Sequence, residues 1–166
     1  MDVSAPNLIC SIAAALIAHE LGHLVAARLC NVPITEAGLG WGRALLGFRV
    51  RGLDLKLRIL PVGAYVKLDM ATLQTRVLPQ QLFVLLAGIA VNLILGTITS
   101  GTFFGTFNLA LAFANLLPIY QQDGWKAGMV ISRGIFNRPV PIVEWTFTIA
   151  AGLIALALAA LTLLSL

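Results

Sequence analysis

The chain has 166 residues, of which 59% are hydrophobic and 11% charged, and its mean hydropathy is +0.93. Ordinary soluble domains carry roughly 45–50% apolar and about 25% charged residues, so this composition excludes a soluble globular protein. A net charge of +4 would suggest nucleic acid in a soluble chain. Here the cations avoid the apolar stretches and gather in loops, so the charge reads as membrane topology and no nucleic-acid partner is expected.

Four apolar segments, at about 7–27, 81–100, 101–119 and 142–166, predict four transmembrane helices of roughly 20 residues each. Segments two and three meet at Ser100-Gly101 with no charge between them, as in a tight helical hairpin at a membrane face. No Lys or Arg precedes Arg28, so the basic region of a cleavable signal peptide is absent and segment one is expected to stay. Cys10 and Cys30 share no metal-ligand spacing and read as small apolar fillers.

Eight cations (Arg28, Arg43, Arg49, Arg51, Lys56, Arg58, Lys67 and Arg76) separate segments one and two. Lys126, Arg133 and Arg138 separate segments three and four. In a four-crossing arrangement all of them fall on one side, which places both loops in the cytosol and both termini outside. From Phe48 to Ile59 apolar and charged residues alternate with period two, and the parity flips across Gly52. That pattern predicts a membrane-associated β-hairpin at about 44–61, with its turn near Gly52 to Asp54. An amphipathic interfacial segment is the competing reading.

The two histidines of the chain both stand in His19-Glu20-Leu21-Gly22-His23. At positions i and i+4 of a helix two imidazoles share one face and can reach the same metal ion. Neutral imidazole suits Zn²⁺, and Glu20, which need not ligate, can take a proton from the water that the ion activates. A carboxylate in hydrocarbon costs about 2.5–3.5 kcal/mol even on lenient scales, so the cluster points to function. The competing reading is a helix end resting in the headgroups. Gly22 either allows a neighbouring backbone to approach or is an ordinary small packing residue.

A catalytic zinc needs a third protein ligand and an open position. Asp2 lies outside, and Glu36, Asp54, Asp69 and Glu144 lie among loop cations or at a segment edge. Asp123 follows segment three on the same side as the end of segment one. Pro118 can unwind the backbone after Asn115, and Gly124 supports a tight turn. On the residues alone, Asp123 is either a ligand or a loop acid paired with Lys126.

These landmarks resemble the site-2 protease family of intramembrane zinc metalloproteases. The motif His19 to His23 stands in the first core helix, and Pro61-Val-Gly-Ala-Tyr65-Val66-Lys67 follows the hairpin. Gly88-Ile-Ala-Val-Asn92 is similar to the family's Gly-x-x-x-Asn element, and Asn115-Leu-Leu-Pro118 with Asp123-Gly124 to its Asn-x-x-Pro and Asp-Gly motif. Tyr120-Gln121-Gln122 stands where the family usually has Pro-Pro-Leu, and Trp125 follows Gly124. The resemblance implies that His19, His23 and Asp123 bind Zn²⁺ and that Glu20 is the catalytic acid/base. It implies that Asn92 and Asn115 hold the unwound substrate or polarise its carbonyl, against a plain role in interhelical hydrogen bonding. It also implies a site approached from the cytosolic side of the cell membrane. As a further departure, segments two and three leave no room for a PDZ domain and no nucleotide-sensing domain is expected after segment four, so the chain resembles a minimal, single catalytic core over 1–166. The implied function is hydrolysis of peptide bonds within or near transmembrane segments, with a transmembrane protein substrate and the bilayer as partners. The sequence is also compatible with a homo-oligomer. An inactive metal-binding scaffold and a small zinc transporter are the alternatives.

Overall fold

The computed structural model describes residues 5–50, 52–136 and 140–164. Its elements run α1 (Ala5–Leu29), β1 (Ile34–Val50), β2 (Leu53–Leu68), α2 (Met70–Gln74), α3 (Leu78–Ile98), α4 (Phe103–Leu116), α5 (Asp123–Phe136) and α6 (Pro141–Leu164). Asp2, Arg51, Arg138 and the end of the fourth apolar segment lie outside the described residues.

The expectation of four transmembrane helices is corrected. Six helices stand among the described residues, and two are long and apolar enough to cross a bilayer: Asn7–Leu29 in α1 and Leu78–Ile98 in α3. The third apolar segment forms only the 14-residue α4, about 21 Å at 1.5 Å per residue against a hydrocarbon core of about 30 Å. The Thr99–Thr102 turn precedes it, and the chain leaves the helix at Leu117, just before Pro118. The described apolar run of α6, Pro141–Ala157, also falls in the shorter class. Counting apolar residues credited each run with a full crossing. It also missed α5, whose Asp123, Lys126 and Arg133 read as a charged loop although Ala127, Met129 and Val130 are buried. With two qualifying helices, the four-crossing count no longer fixes where the C-terminus lies.

The β structure is larger than the expected 44–61. At its tip Val50 pairs with Leu53 and Arg49 with Asp54 around Gly52, whose φ of 85° suits the turn. Residues 36–39 lie between two stretches of β2: Leu39 pairs with both Ala64 and Leu57, and Gly38 with both Tyr65 and Lys56. The two long strands thus fold into four adjacent segments, in the order 64–68, 34–39, 53–57, 46–50. Gly40, at φ 89°, makes this bend possible, because a Cβ there would stand 2.3 Å from the Leu60 carbonyl oxygen.

Glu36 ties the segments together. Its buried carboxylate accepts from Lys56 Nζ and Tyr65 Oη, both at 2.5 Å, and from Arg58 Nη2 at 3.1 Å. Lys67 Nζ lies 3.5 Å away. Donation from Lys56 and Tyr65 holds the Glu36 carboxyl down at about 2.

The apolar core joins the C-terminal half of α1 to α3 and α5 through Ala26, Ala27, Val32, Leu73, Val84, Leu85 and Val130. Gly22 lets the two long helices touch: a Cβ there would stand 2.8 Å from the Ala87 carbonyl oxygen and 3.0 Å from Val91 Cγ2. Close approach through a small residue is how apolar helices pack when lipid offers no hydrophobic contrast. Ile9, Val25 and Leu29 on α1 and Phe83, Ile94 and Ile98 on α3 stay exposed, as lipid contact requires.

Candidate metal centre

His19 and His23 are one turn apart on α1 and both are buried. Asp123, also buried, begins α5 and arrives from a distant part of the sequence. Two local features deliver it. Pro118 follows the end of α4, and the chain turns through Gln121 at φ 76°. Gly124 then presses on the spent end of α4, where a Cβ would stand 2.1 Å from the Leu116 carbonyl oxygen. The Tyr120-Gln121-Gln122 departure therefore leaves Asp123 at the histidines, and the rings of Tyr120 and Trp125 pack edge to face at 5.1 Å.

The three side chains converge. Asp123 Oδ2 lies 3.0 Å from His19 Nε2 and 3.0 Å from His23 Nε2, and the two nitrogens are 3.2 Å apart. A tetrahedral ion with ligand bonds of about 2.0–2.1 Å has edges of about 3.3 Å, so the triangle has the right size. The chemistry of the donors also fits. His23 Nδ1 donates to the Val84 carbonyl at 2.8 Å, which leaves Nε2 as the lone-pair nitrogen. The lone pairs of His23 Nε2 and Asp123 Oδ2, 3.0 Å apart and buried, then repel one another unless a cation lies between them. The space is kept open by Gly88, where a Cβ would stand 2.5 Å from His23 Nε2 and 2.7 Å from His19 Nε2. Among the described residues this is the group of acids, histidines and cysteines placed to hold a metal ion.

Glu20 stands outside the triangle and lines two cavities of about 430 Å³ each. One is an apolar groove between α1 and the sheet, walled by Ile17, Leu21, Leu24, Phe48, Leu55 and Leu57. The other is polar and contains His23, Lys67, Asp123 and Lys126. Glu20, Tyr65 and Val66 line both.

Asn92 lies one turn beyond Gly88 on α3, fully buried, with neither amide atom hydrogen-bonded. Asn115 instead donates from Nδ2 to the Leu111 carbonyl of its own helix at 3.0 Å. Sequence reasoning passed over Asn108, which is fully buried and has an unpaired Oδ1. An amide within the third apolar segment, one of two there with Asn115, was its one signal. It also passed over the Glu36 network, which no local pattern announces. The pairing of Lys126 with Asp123 is present, at 3.0 Å, together with the histidine contacts rather than instead of them.

Residues 7–107 match the model of peptidase family M50. The chain belongs to peptidase family M50. This bears out the resemblance to the site-2 proteases, and the M50 match includes His19, Glu20 and His23 but ends before Asp123. A Synechocystis protein named "Putative zinc metalloprotease" is 33% identical over 151 residues, covering 78% of this chain and 39% of its own length. Like-named proteins of Clostridium acetobutylicum and Helicobacter pylori are 33% identical over 91 residues and 42% identical over 50. These alignments cover 50% and 30% of this chain, and 27% and 14% of those proteins. The chain thus spans well under half the length of these relatives. M50 membership places it in a metalloprotease family of membrane proteins, and the relatives' names imply zinc.

Proposed function

We propose that the chain is a zinc-dependent endopeptidase that hydrolyses peptide bonds within or near transmembrane segments of membrane-protein substrates. The observation that carries this reading is the meeting of His19, His23 and Asp123 beside Glu20, at the junction of an apolar groove and a polar cavity. His19 Nε2, His23 Nε2 and Asp123 Oδ2 would hold the ion. Bound there, Zn²⁺ supplies Lewis acidity, polarising a carbonyl and making water easier to deprotonate. Glu20 takes the proton of the attacking water and returns it to the leaving amine.

The apolar groove suits a hydrophobic segment, and a helical segment must unwind before its carbonyls can be attacked. Residues 64–68 form one edge of the sheet, with Ala64, Tyr65 and Val66 on the apolar groove and Tyr65 to Leu68 on the polar cavity, so an extended substrate can add to this edge and satisfy its backbone groups. This edge borders Glu20 in both cavities, whereas the alternating arms at 48–59 border it in the apolar groove alone. The unpaired amide of Asn92 is assigned to the substrate carbonyl. Asn115, already bonded within its helix, is assigned a lesser part in holding the substrate. By the positive-inside rule, Arg28 and the cations of the sheet support an orientation with the site end of α1 toward the cytosol and its N-terminal end outside.

The test is Glu20→Gln. Cleavage of a co-expressed transmembrane reporter should be abolished while zinc stays near one per chain. Undiminished cleavage would remove Glu20 from the mechanism.

A further inference from the structure

Asp123 divides its two oxygens. Oδ2 faces both histidines, whereas Oδ1 accepts from Lys126 Nζ at 3.0 Å. The two residues are three apart in the first turn of α5, and the Lys126 backbone N–H donates to the Gln122 carbonyl at 3.1 Å. The turn is fixed from behind by buried Ala127, Met129 and Val130. Gly128 lies against Phe147 of α6, where a Cβ would stand 2.6 Å from Cζ. The Lys126 side chain is about one-third exposed, and it lines the polar cavity with Glu20.

A carboxylate free at both oxygens can chelate an ion through both, which fills the position that a catalytic site must leave open for water and substrate. A ligating carboxylate whose outer oxygen is hydrogen-bonded is held to one point of contact. We propose that Lys126 is a positioning residue that restricts Asp123 to Oδ2 and so keeps the metal centre open on the Glu20 side. The proposal rests on the reading that His19, His23 and Asp123 hold a divalent ion.

The experiment uses the full chain in detergent, with Zn²⁺ affinity measured by chelator competition and geometry by the visible spectrum of the Co²⁺-substituted protein. Lys126→Met should lose about 10–100-fold in Zn²⁺ affinity, the usual cost of removing a partner of a metal ligand, and should shift the Co²⁺ bands toward higher coordination. Lys126→Arg, which keeps the charge and the donor, should restore both. If Lys126→Met fails to fold, Lys126→Gln takes its place. Affinity within twofold of the wild type and an unchanged Co²⁺ spectrum, alongside a His19→Ala control that loses the ion, would overturn the role of Lys126 and leave the metal centre standing. Failure of the wild type itself to bind Zn²⁺ or Co²⁺ would overturn both.

Discussion

Gly88→Ala separates the metal centre from the fold that carries it. Ordinary contact begins near 3.4 Å, and the added methyl would stand 2.5 Å from His23 Nε2 and 2.7 Å from His19 Nε2. Each imidazole must therefore retreat by about 0.7–0.9 Å, several times the roughly 0.2 Å by which metal-ligand distances can vary. The ring of His23 is least able to move, because its Nδ1 is bonded to the Val84 carbonyl one turn before Gly88. Intrinsic propensity acts in the opposite direction, since alanine favours a helix interior over glycine by up to about 1 kcal/mol. The variant should keep its helix content by circular dichroism and lose at least tenfold in Zn²⁺ affinity by chelator competition. Wild-type affinity in a folded Gly88→Ala protein would refute the argument that these two nitrogens and this glycine share one crowded space.

Two further changes probe the scaffold. Gly22→Val places a branched side chain against the Ala87 carbonyl and Val91, and overpacking of this kind costs about 1–3 kcal/mol; thermal unfolding in detergent should show a lower midpoint, and an unchanged midpoint would mean that α1 and α3 pack less closely. Glu36 has its carboxyl lowered from the usual 4.5 to about 2 by Lys56 and Tyr65, so its contribution to stability is fully present above about pH 4.5 and is lost as the pH falls through about 2. The stability gap between the wild type and Glu36→Gln should therefore narrow over that window, and a gap independent of pH would remove the ion network from the account.

The sequence announced His19, Glu20 and His23 because a single helical face carries all the information that their spacing needs. Asp123 was harder. Its meeting with His19, 104 residues away, depends on where α4 stops and how Gly124 packs, which no local period records. Alternation revealed the tip of the hairpin at 48–59, but Gly38, Gly40, Gly42 and Gly63 interrupt the period nearer its base. The segments 34–39 and 64–68 therefore stayed hidden, although the latter borders Glu20. Hydropathy marked all four apolar runs, but it carries no measure of helix length, so α4 was credited with a crossing that its 14 residues do not make.

Among the described residues, Glu20, Tyr65 and Val66 alone border both hollows, and this separates two kinds of traffic. An apolar guest finds its walls between α1 and the sheet. Water finds its polar partners in the compartment of Lys67, Asp123 and Lys126. The two meet at one doorway, whose jamb is a tyrosine that the sheet's own ion network holds upright.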